Sequence, residues 1–253
     1  MALFNEEQIG GNEPKNDKIL LVDADTIVYA TCSTLEVEVD DGEYEIDLEL
    51  AERVFIEKIS FMKNRVGCGE LEVFFSGPNN FRYSIFPTYK QNRKKMRHPE
   101  GRKELTALLT EKYENCYTTD GWEADDEVVY RKHNFPDKYL LSAIDKDVIG
   151  ATPGRHYNYN KDIFIVTSRE SAVFWPYLQC ITGDTSDGLK GVPGIGPKKA
   201  LGFINEEMNE EELWKGVVEA YTSKGLSEKD ALVTMYMVNM HQLHENKIVL
   251  WQS

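Results

Sequence analysis

With 253 residues, 41% of them apolar and 28% charged, the chain is long enough for one large or two small domains and able to bury a core, which excludes a disordered or fibrous protein. Its apolar runs are far shorter than a membrane span, its N-terminus lacks a basic-then-apolar signal pattern, and Cys32, Cys68, Cys116 and Cys180 show no CxxC spacing; a cytoplasmic protein with reduced thiols is expected. The net charge of −14 argues against a nucleic-acid partner only as a sum, because the charges are unevenly distributed.

In chain order, Ile19–Val22 reads as a buried strand ending in acid at Asp23, followed by a helix over about Thr26–Ser33. LEVEVDDGEYEID alternates apolar and polar residues around Asp41-Gly42, the pattern of a β-hairpin. An amphipathic helix over Leu48–Arg65 precedes the strand Leu71–Phe75. Strands alternating with helices predict an α/β fold, a mainly parallel central sheet flanked by helices, in which ligands gather at the carboxyl ends of strands. Asp23, Ser76 and the pair Asp145 and Asp147 each follow a strand-like run, so one cleft is expected to collect them.

After Ser76 the pattern breaks into GPNNFRYSIFPTYKQNRKKMRHPEGRK. From Arg82 to Lys103 the bases Arg82, Lys90, Arg93, Lys94, Lys95, Arg97, Arg102 and Lys103 face the single acid Glu100. The segment reads either as a solvated loop or as a mobile basic span over the cleft, with Lys and Arg on phosphates and aromatics such as Tyr89 stacked on bases. Acid is concentrated elsewhere, in Glu36–Glu52 and Glu206–Glu212, as solvated faces.

DGWEADDEVVY opens a helix, with Asp120 and Glu123 at the spacing of a capping box. Capping accounts for Glu123 but not for Asp125 and Asp126 as well. Asp145 and Asp147 alternate like residues of an extended segment, although a surface turn would tolerate them too. With Asp23, Asp184 and Asp187 they make eight acids in four clusters. Mutual repulsion in one cleft would be severe without cations, and an all-oxygen set suits Mg²⁺ or Mn²⁺.

In ITGDTSDGLKGVPGIGPKKA, the glycines Gly191, Gly194 and Gly196 with Pro193 form a tight turn, and Pro197 suits a helix's first position. Lys198 and Lys199 then sit where the helix dipole disfavours cations, a conflict that a bound phosphate resolves. His241 and His244 have a one-turn helical spacing but no nearby third ligand in the sequence, so the ALVTMYMVNM stripe around them reads as core rather than as a zinc site.

Taken together, LLVDAD, the YKQNR run, GWEADDEV, SAIDKDV and GDTSDGLKGVPGIGPKKA resemble, in order and spacing, the 5′-to-3′ exonuclease and flap endonuclease family, with length and ending most like the exonucleases of T7-like bacteriophages. The resemblance implies a nuclease domain over 18–180 after an N-terminal extension (1–17), a helical arch or flexible loop over about 77–112, and a helix-hairpin-helix region (181–253). It implies two metals, one on Asp23, Glu123, Asp125 and Asp126 and one on Asp145, Asp147, Asp184 and Asp187. Lys90 and Arg93 match arch positions that meet the scissile phosphate, and K⁺ or Na⁺ is expected at the hairpin. The expected substrate is DNA with a 5′ end, nick or flap, or an RNA–DNA hybrid, cleaved by a monomer in the host cytoplasm during phage replication. Where the family places a metal-ligating aspartate after the strand LEVFF, this chain has Ser76, which leaves a non-cutting DNA-structure binder as the rival reading and a PIN-like ribonuclease as a second.

Overall fold

A computed structural model describes residues 4–252. Strand β1 (Phe4–Gln8) is an exposed edge, antiparallel to residues Ile163–Thr167, and β2 (Asn16–Asp23) runs through the sheet's centre. The stretch expected as an extension therefore supplies a strand; FNEEQ has no apolar alternation, and it is held by ladder hydrogen bonds, by Phe4 against Trp175 and by the ion pairs Glu6–Lys161 and Glu7–Arg155.

Helix α1 (Asp25–Leu35) leads to the hairpin β3 (Val37–Asp40) and β4 (Glu43–Glu45), where Gly42 takes a left-handed φ of 80°. Helix α2 (Leu48–Arg65) is capped by Asp47, whose carboxylate accepts the Leu50 N–H at 3.0 Å, and buries Ala51, Phe55, Ile59 and Met62 on one face. Strand β5 (Cys68–Phe75) then returns parallel to β2.

The basic segment holds a short helix, α3 (Arg82–Ile85), and a 3₁₀ turn over Gln91–Lys95. Helix α4 (Arg102–Lys112) follows and sinks Leu105 and Leu109 into the core. The span expected over about 77–112 is thus tied down at its C-terminal end by a core helix, whose two leucines four apart are the i, i+4 signal that the sequence carried.

Strand β6 (Cys116–Thr118) closes one edge; α5 (Ala124–Asn134), β7 (Tyr139–Ser142), α6 (Lys146–Gly150), β8 (Gly154–Asn158) and β9 (Ile163–Thr167) complete the sheet. Its order is β1-β9-β8-β7-β2-β5-β6, with the four pairings from β8 to β6 parallel and the two at the β9 edge antiparallel. Helix α7 (Arg169–Thr182) leads through the two-residue strands β10 (Gly183–Asp184) and β11 (Leu189–Lys190) to α8 (Pro197–Ala200), α9 (Glu210–Thr222), α10 (Glu228–Val238) and a terminal hairpin, β12 (Leu243–His244) with β13 (Lys247–Ile248).

Both faces of the sheet are covered. Alternate residues of β2 divide between them: Ile19 and Leu21 pack with α5, α7, α9 and α10, while Leu20 and Val22 pack with α1, α2 and α4. This two-sided burial is why the strand reads as a continuous apolar run rather than an alternation. It also leaves the carboxyl ends of β2, β5 and β7 side by side at one rim. Among the described residues, no helix is long and apolar enough to cross a membrane.

Candidate active site

The site grows from that rim. Asp23 ends β2, and Asp25, two residues on, opens α1. Glu123 is the N-cap of α5 and Asp125 lies in its first turn; Asp145 is the N-cap of α6, with Asp147 in its first turn. Two acid clusters therefore sit at helix N-termini, where the macrodipole and free N–H groups favour negative charge. Asp145 Oδ1 accepts the Asp147 N–H at 2.8 Å, so this pair shares the cleft through a helix start and not through the extended segment expected.

The capping box of α5 is likewise one step later than its sequence spacing suggested. Glu123 and Asp126 form it, with Asp126 Oδ2 accepting the Glu123 N–H at 3.1 Å, while Asp120 pairs with Asn79 outside. The consequence falls on Asp126, which is buried and turned to Arg82 through hydrogen bonds of 2.6 and 2.7 Å. Asp126 does not line the cleft with the other seven acids; the lining includes Asp23, Asp25, Ser76, Glu123, Asp125, Asp145, Asp147, Asp184 and Asp187.

Within the lining, Asp23 and Asp125 influence each other's charge, as do Asp147 and Asp184. Burial, then the charge of Asp25, lifts Asp23 to about 7, and burial with the charges of Asp23, Asp145 and Glu123 pushes its partner Asp125 well above the usual range. In the second pair, burial and the charge of Asp145 raise Asp147 to about 8. Burial also pushes Asp184 upward, but the Ser186 hydroxyl and Asp147 hold it below the usual range. Burial and crowding thus oppose full ionisation of Asp23, Asp125 and Asp147 unless a cation compensates their charge.

Such a set fits a hard divalent cation. The donors are all oxygen, a cation would offset the crowded negative charge, and the buried Oδ1 of Asp147 has no hydrogen-bond partner among the described residues. The cleft's volume of about 120 Å³ holds ions and a few waters but not a nucleotide, so a polymeric substrate would lie across its mouth. As the side chains stand, no three His, Cys, Asp or Glu groups among the described residues surround one point closely enough to hold an ion. Glu123 and Asp187 are instead engaged by bases.

Those bases come from the segment between β5 and α4. Lys90 pairs with Glu123 and lies 4.0 Å from Asp187, and Arg93 reaches Asp187 and the Ser186 carbonyl. Burial works against a charged Glu123, but Lys90 and Arg82 outweigh it and bring its carboxyl down to about 2. Lys90 takes a left-handed φ of 53°, held there by its N–H donating to the Asp187 carbonyl.

Two expected DNA contacts are placed differently. Arg82 is 2% exposed, with its Nε donating to the Met237 carbonyl at 3.0 Å and its charge turned to Asp126. Tyr89 is also 2% exposed, and its hydroxyl is shared between Glu123 (2.8 Å) and Asp187 (2.9 Å), so its ring is not free to stack on a base. The apolar neighbours Phe81 and Phe86 gave no hint that this Arg and Tyr turn inward. The side chain of Lys94 lies outside the described residues.

The glycine-rich turn forms apart from the cleft. Gly191 packs on the end of α7, where a Cβ would come within 2.2 Å of the Thr182 carbonyl carbon. Gly194, with φ 74°, and Gly196, the N-cap of α8, face open space, and Pro197 is the first residue of that helix. Lys198 and Lys199 are exposed; Lys199 donates to the Gly194 carbonyl at 2.9 Å, and both line a shallow cavity with Ser223 and Lys224. His241 and His244 lie beyond α10 rather than on it, and the fold brings His133 to a ring distance of 4.7 Å from His241. Lys224 and His133 are partners that only the tertiary fold reveals.

Asp25 was legible only in hindsight: once a helix starts at Asp25, its first side chain faces the same rim as the strand end before it. Its Oδ1 accepts the N–H of Ser76 at 3.1 Å.

No family model matches the chain. The exodeoxyribonuclease of Enterobacteria phage T3 is 30% identical over 224 residues, covering 81% of this chain and 73% of the relative. The exonuclease of Escherichia phage T7 is 29% identical over 223 residues with the same coverage. Among solved structures, the T5 D15 protein co-crystallized with metal ions superposes with a TM-score of 0.65 at 18% identity, over 88% of this chain and 90% of that one. The catalytic core of Rad2 in complex with DNA substrate gives 0.56 at 15% identity, over 99% and 87%. The structural likenesses carry the fold and the phage relatives carry the kinship: this chain belongs to the 5′-to-3′ exonuclease and flap endonuclease family.

Proposed function

We propose that this protein is a divalent-metal-dependent nuclease that hydrolyses phosphodiesters from the 5′ end of duplex, nicked or flapped DNA, and the RNA strand of RNA–DNA hybrids, in the removal of primers or degradation of DNA during phage replication. The observation that carries the reading is the convergence of Asp23, Glu123, Asp125, Asp145, Asp147, Asp184 and Asp187 on one small cleft that Lys90 and Arg93 also line. The metal-associated T5 structures and the exodeoxyribonuclease and exonuclease names of the phage relatives support it.

Asp23, Glu123 and Asp125 would hold one Mg²⁺ or Mn²⁺, and Asp145, Asp147, Asp184 and Asp187 a second. Bound there, the cations supply Lewis-acid activation of water and neutralise charge at a phosphodiester. The chain's own residues do the rest. Lys90 and Arg93 stand at the mouth, where an anionic phosphate would draw them from Glu123 and Asp187 and where their charge opposes the charge that grows in the transition state. The Tyr89 hydroxyl holds Glu123 and Asp187 in register. The 181–253 region, with Gly194, Gly196, Lys198, Lys199 and a K⁺ or Na⁺ ion, would grip duplex backbone without reading bases. The chain acts as a monomer in this reading.

The test is incubation with duplex DNA labelled at one 5′ end, with Mg²⁺, Mn²⁺ or EDTA. Metal-dependent release of short labelled products is expected. Ser76 favours the second reading, a non-cutting binder of branched DNA, and intact label with retained binding would select it.

A further inference from the structure

We infer that Asp25 is a cation-binding carboxylate of this site, supplied from the start of α1 to a place where the end of β5 offers only the hydroxyl of Ser76. The inference rests on the nuclease reading and adds a ligand to it.

The geometry fixes the carboxylate across the β2–β5 gap. The N–H of Ala24 donates to the Phe74 carbonyl at 3.0 Å, which joins the two strand ends. One residue further along one segment and two along the other, the N–H of Ser76 donates to Asp25 Oδ1 at 3.1 Å. Ser76 Oγ accepts the Ala124 N–H at 2.9 Å, so the hydroxyl's lone pairs face α5 and its proton is left for a neighbour such as Asp25. Asp25, Asp23, Glu123 and Asp125 line one side of the same cleft. The Ser76 N–H engages Oδ1, and a carboxylate has further lone pairs to offer a cation.

A purely structural role would not need the charge. Asparagine would accept the same N–H through its amide oxygen and would add no repulsion to the acids beside it. Retaining an acid here costs stability unless a cation compensates it.

The test is Mn²⁺ binding to the full chain, measured by loss of the free-ion electron paramagnetic resonance signal, with thermal melting in EDTA as the folding control. Asp25→Asn is expected to weaken Mn²⁺ binding by about tenfold or more, a loss typical of removing a group that holds a metal in place, while melting no lower than wild type. The double variant Asp25→Ser with Ser76→Asp, which returns the carboxylate to the strand end, is expected to recover affinity over Asp25→Ser alone. Wild-type Mn²⁺ affinity in Asp25→Asn overturns this inference and leaves the nuclease reading standing. If Asp25→Asn does not fold, the serine pair decides, and no recovery in the double variant overturns it. Absence of Mn²⁺ binding to the wild-type chain overturns the inference and the nuclease reading together.

Discussion

Arg82 and Asp126 form a bidentate ion pair, with both side chains almost wholly removed from solvent, that ties the basic segment to α5. A third arm, Arg82 Nε to the Met237 carbonyl, extends the tie to α10. This pair is an anchor: it holds the root of the segment that carries Tyr89, Lys90 and Arg93 into the cleft. Asp126→Ala leaves a buried guanidinium uncompensated and is expected to destabilise the fold by about 3–5 kcal/mol, measured by urea denaturation. A loss below about 1 kcal/mol would show that Asp126 serves the cleft instead.

Asp125 has the opposite balance. Burial and its neighbours oppose its charge, so Asp125→Asn is expected to stabilise the metal-free protein. The same change is expected to lower metal-dependent cleavage by more than about 100-fold. Melting in EDTA and single-turnover cleavage test the two halves separately; a destabilised Asp125→Asn contradicts the repulsion argument.

The pH dependence follows with its sign. Asp23 and Asp147 move from an ordinary value of 3.8 to about 7 and about 8, so their contribution to stability is present below about pH 4 and is lost as pH rises through 7 to 8. His156 and His241, both held down to about 4 by burial, act in reverse: their contribution is present above 6.5 and is lost as pH falls through 4. Between pH 6.5 and about 7.5 the acids dominate, because Lys132, brought down to about 8 by burial, adds stability only as pH rises past 8. Metal-free protein should lose stability there by up to about 1.4 kcal/mol per pH unit for each proton released, and excess Mg²⁺ should flatten the slope. Thermal melts from pH 6.5 to 8, in EDTA and in Mg²⁺, measure both.

The sheet and the amphipathic helix Leu48–Arg65 were legible in the sequence because periodicity is a local property. The gathering of Asp23, Glu123, Asp125, Asp145, Asp147, Asp184 and Asp187 was legible too, since the α/β architecture sends strand ends to one rim, whereas the inward turn of Asp126 and the helix start at Asp145 were not. Direction within the basic segment was not legible. Whether Arg82 and Tyr89 point to solvent or inward depends on Asp126, Met237, Glu123 and Asp187, which lie 34 to 155 residues away. Asp25 escaped notice for a related reason: its meaning comes from Ser76, 51 residues on.

In the glycine-rich hairpin, Lys198 and Lys199 would act on backbone phosphates without reading sequence. The pair Lys198→Ala and Lys199→Ala is expected to weaken duplex binding alike for unrelated sequences and to reduce the slope of log affinity against log salt by about 0.9 for each phosphate no longer neutralised. Fluorescence anisotropy at several salt concentrations measures it. A change confined to one sequence would place the lysines at bases.

In the proposed reading, Lys90 belongs to the chemistry more than to the grip. Its ammonium is held by Glu123 and lies near Asp187, which keeps it inside the cleft's mouth, and its left-handed backbone is fixed by the Asp187 carbonyl, so alanine retains the anchor points at Arg82 and Tyr89. Lys90→Ala is therefore expected to lower the single-turnover cleavage rate by about 10²–10³-fold, the range seen when one preorganised group that stabilises transition-state charge is removed. Duplex affinity, carried by several groups elsewhere, should change by no more than the about 1–3 kcal/mol of one charge-assisted hydrogen bond. Cleavage rates at saturating enzyme, set beside anisotropy in Ca²⁺, separate the two effects. If affinity falls while the rate at saturating enzyme stays at the wild-type value, Lys90 holds ground state and transition state equally, and the stabilisation must come from Arg93 or from the acids' cations.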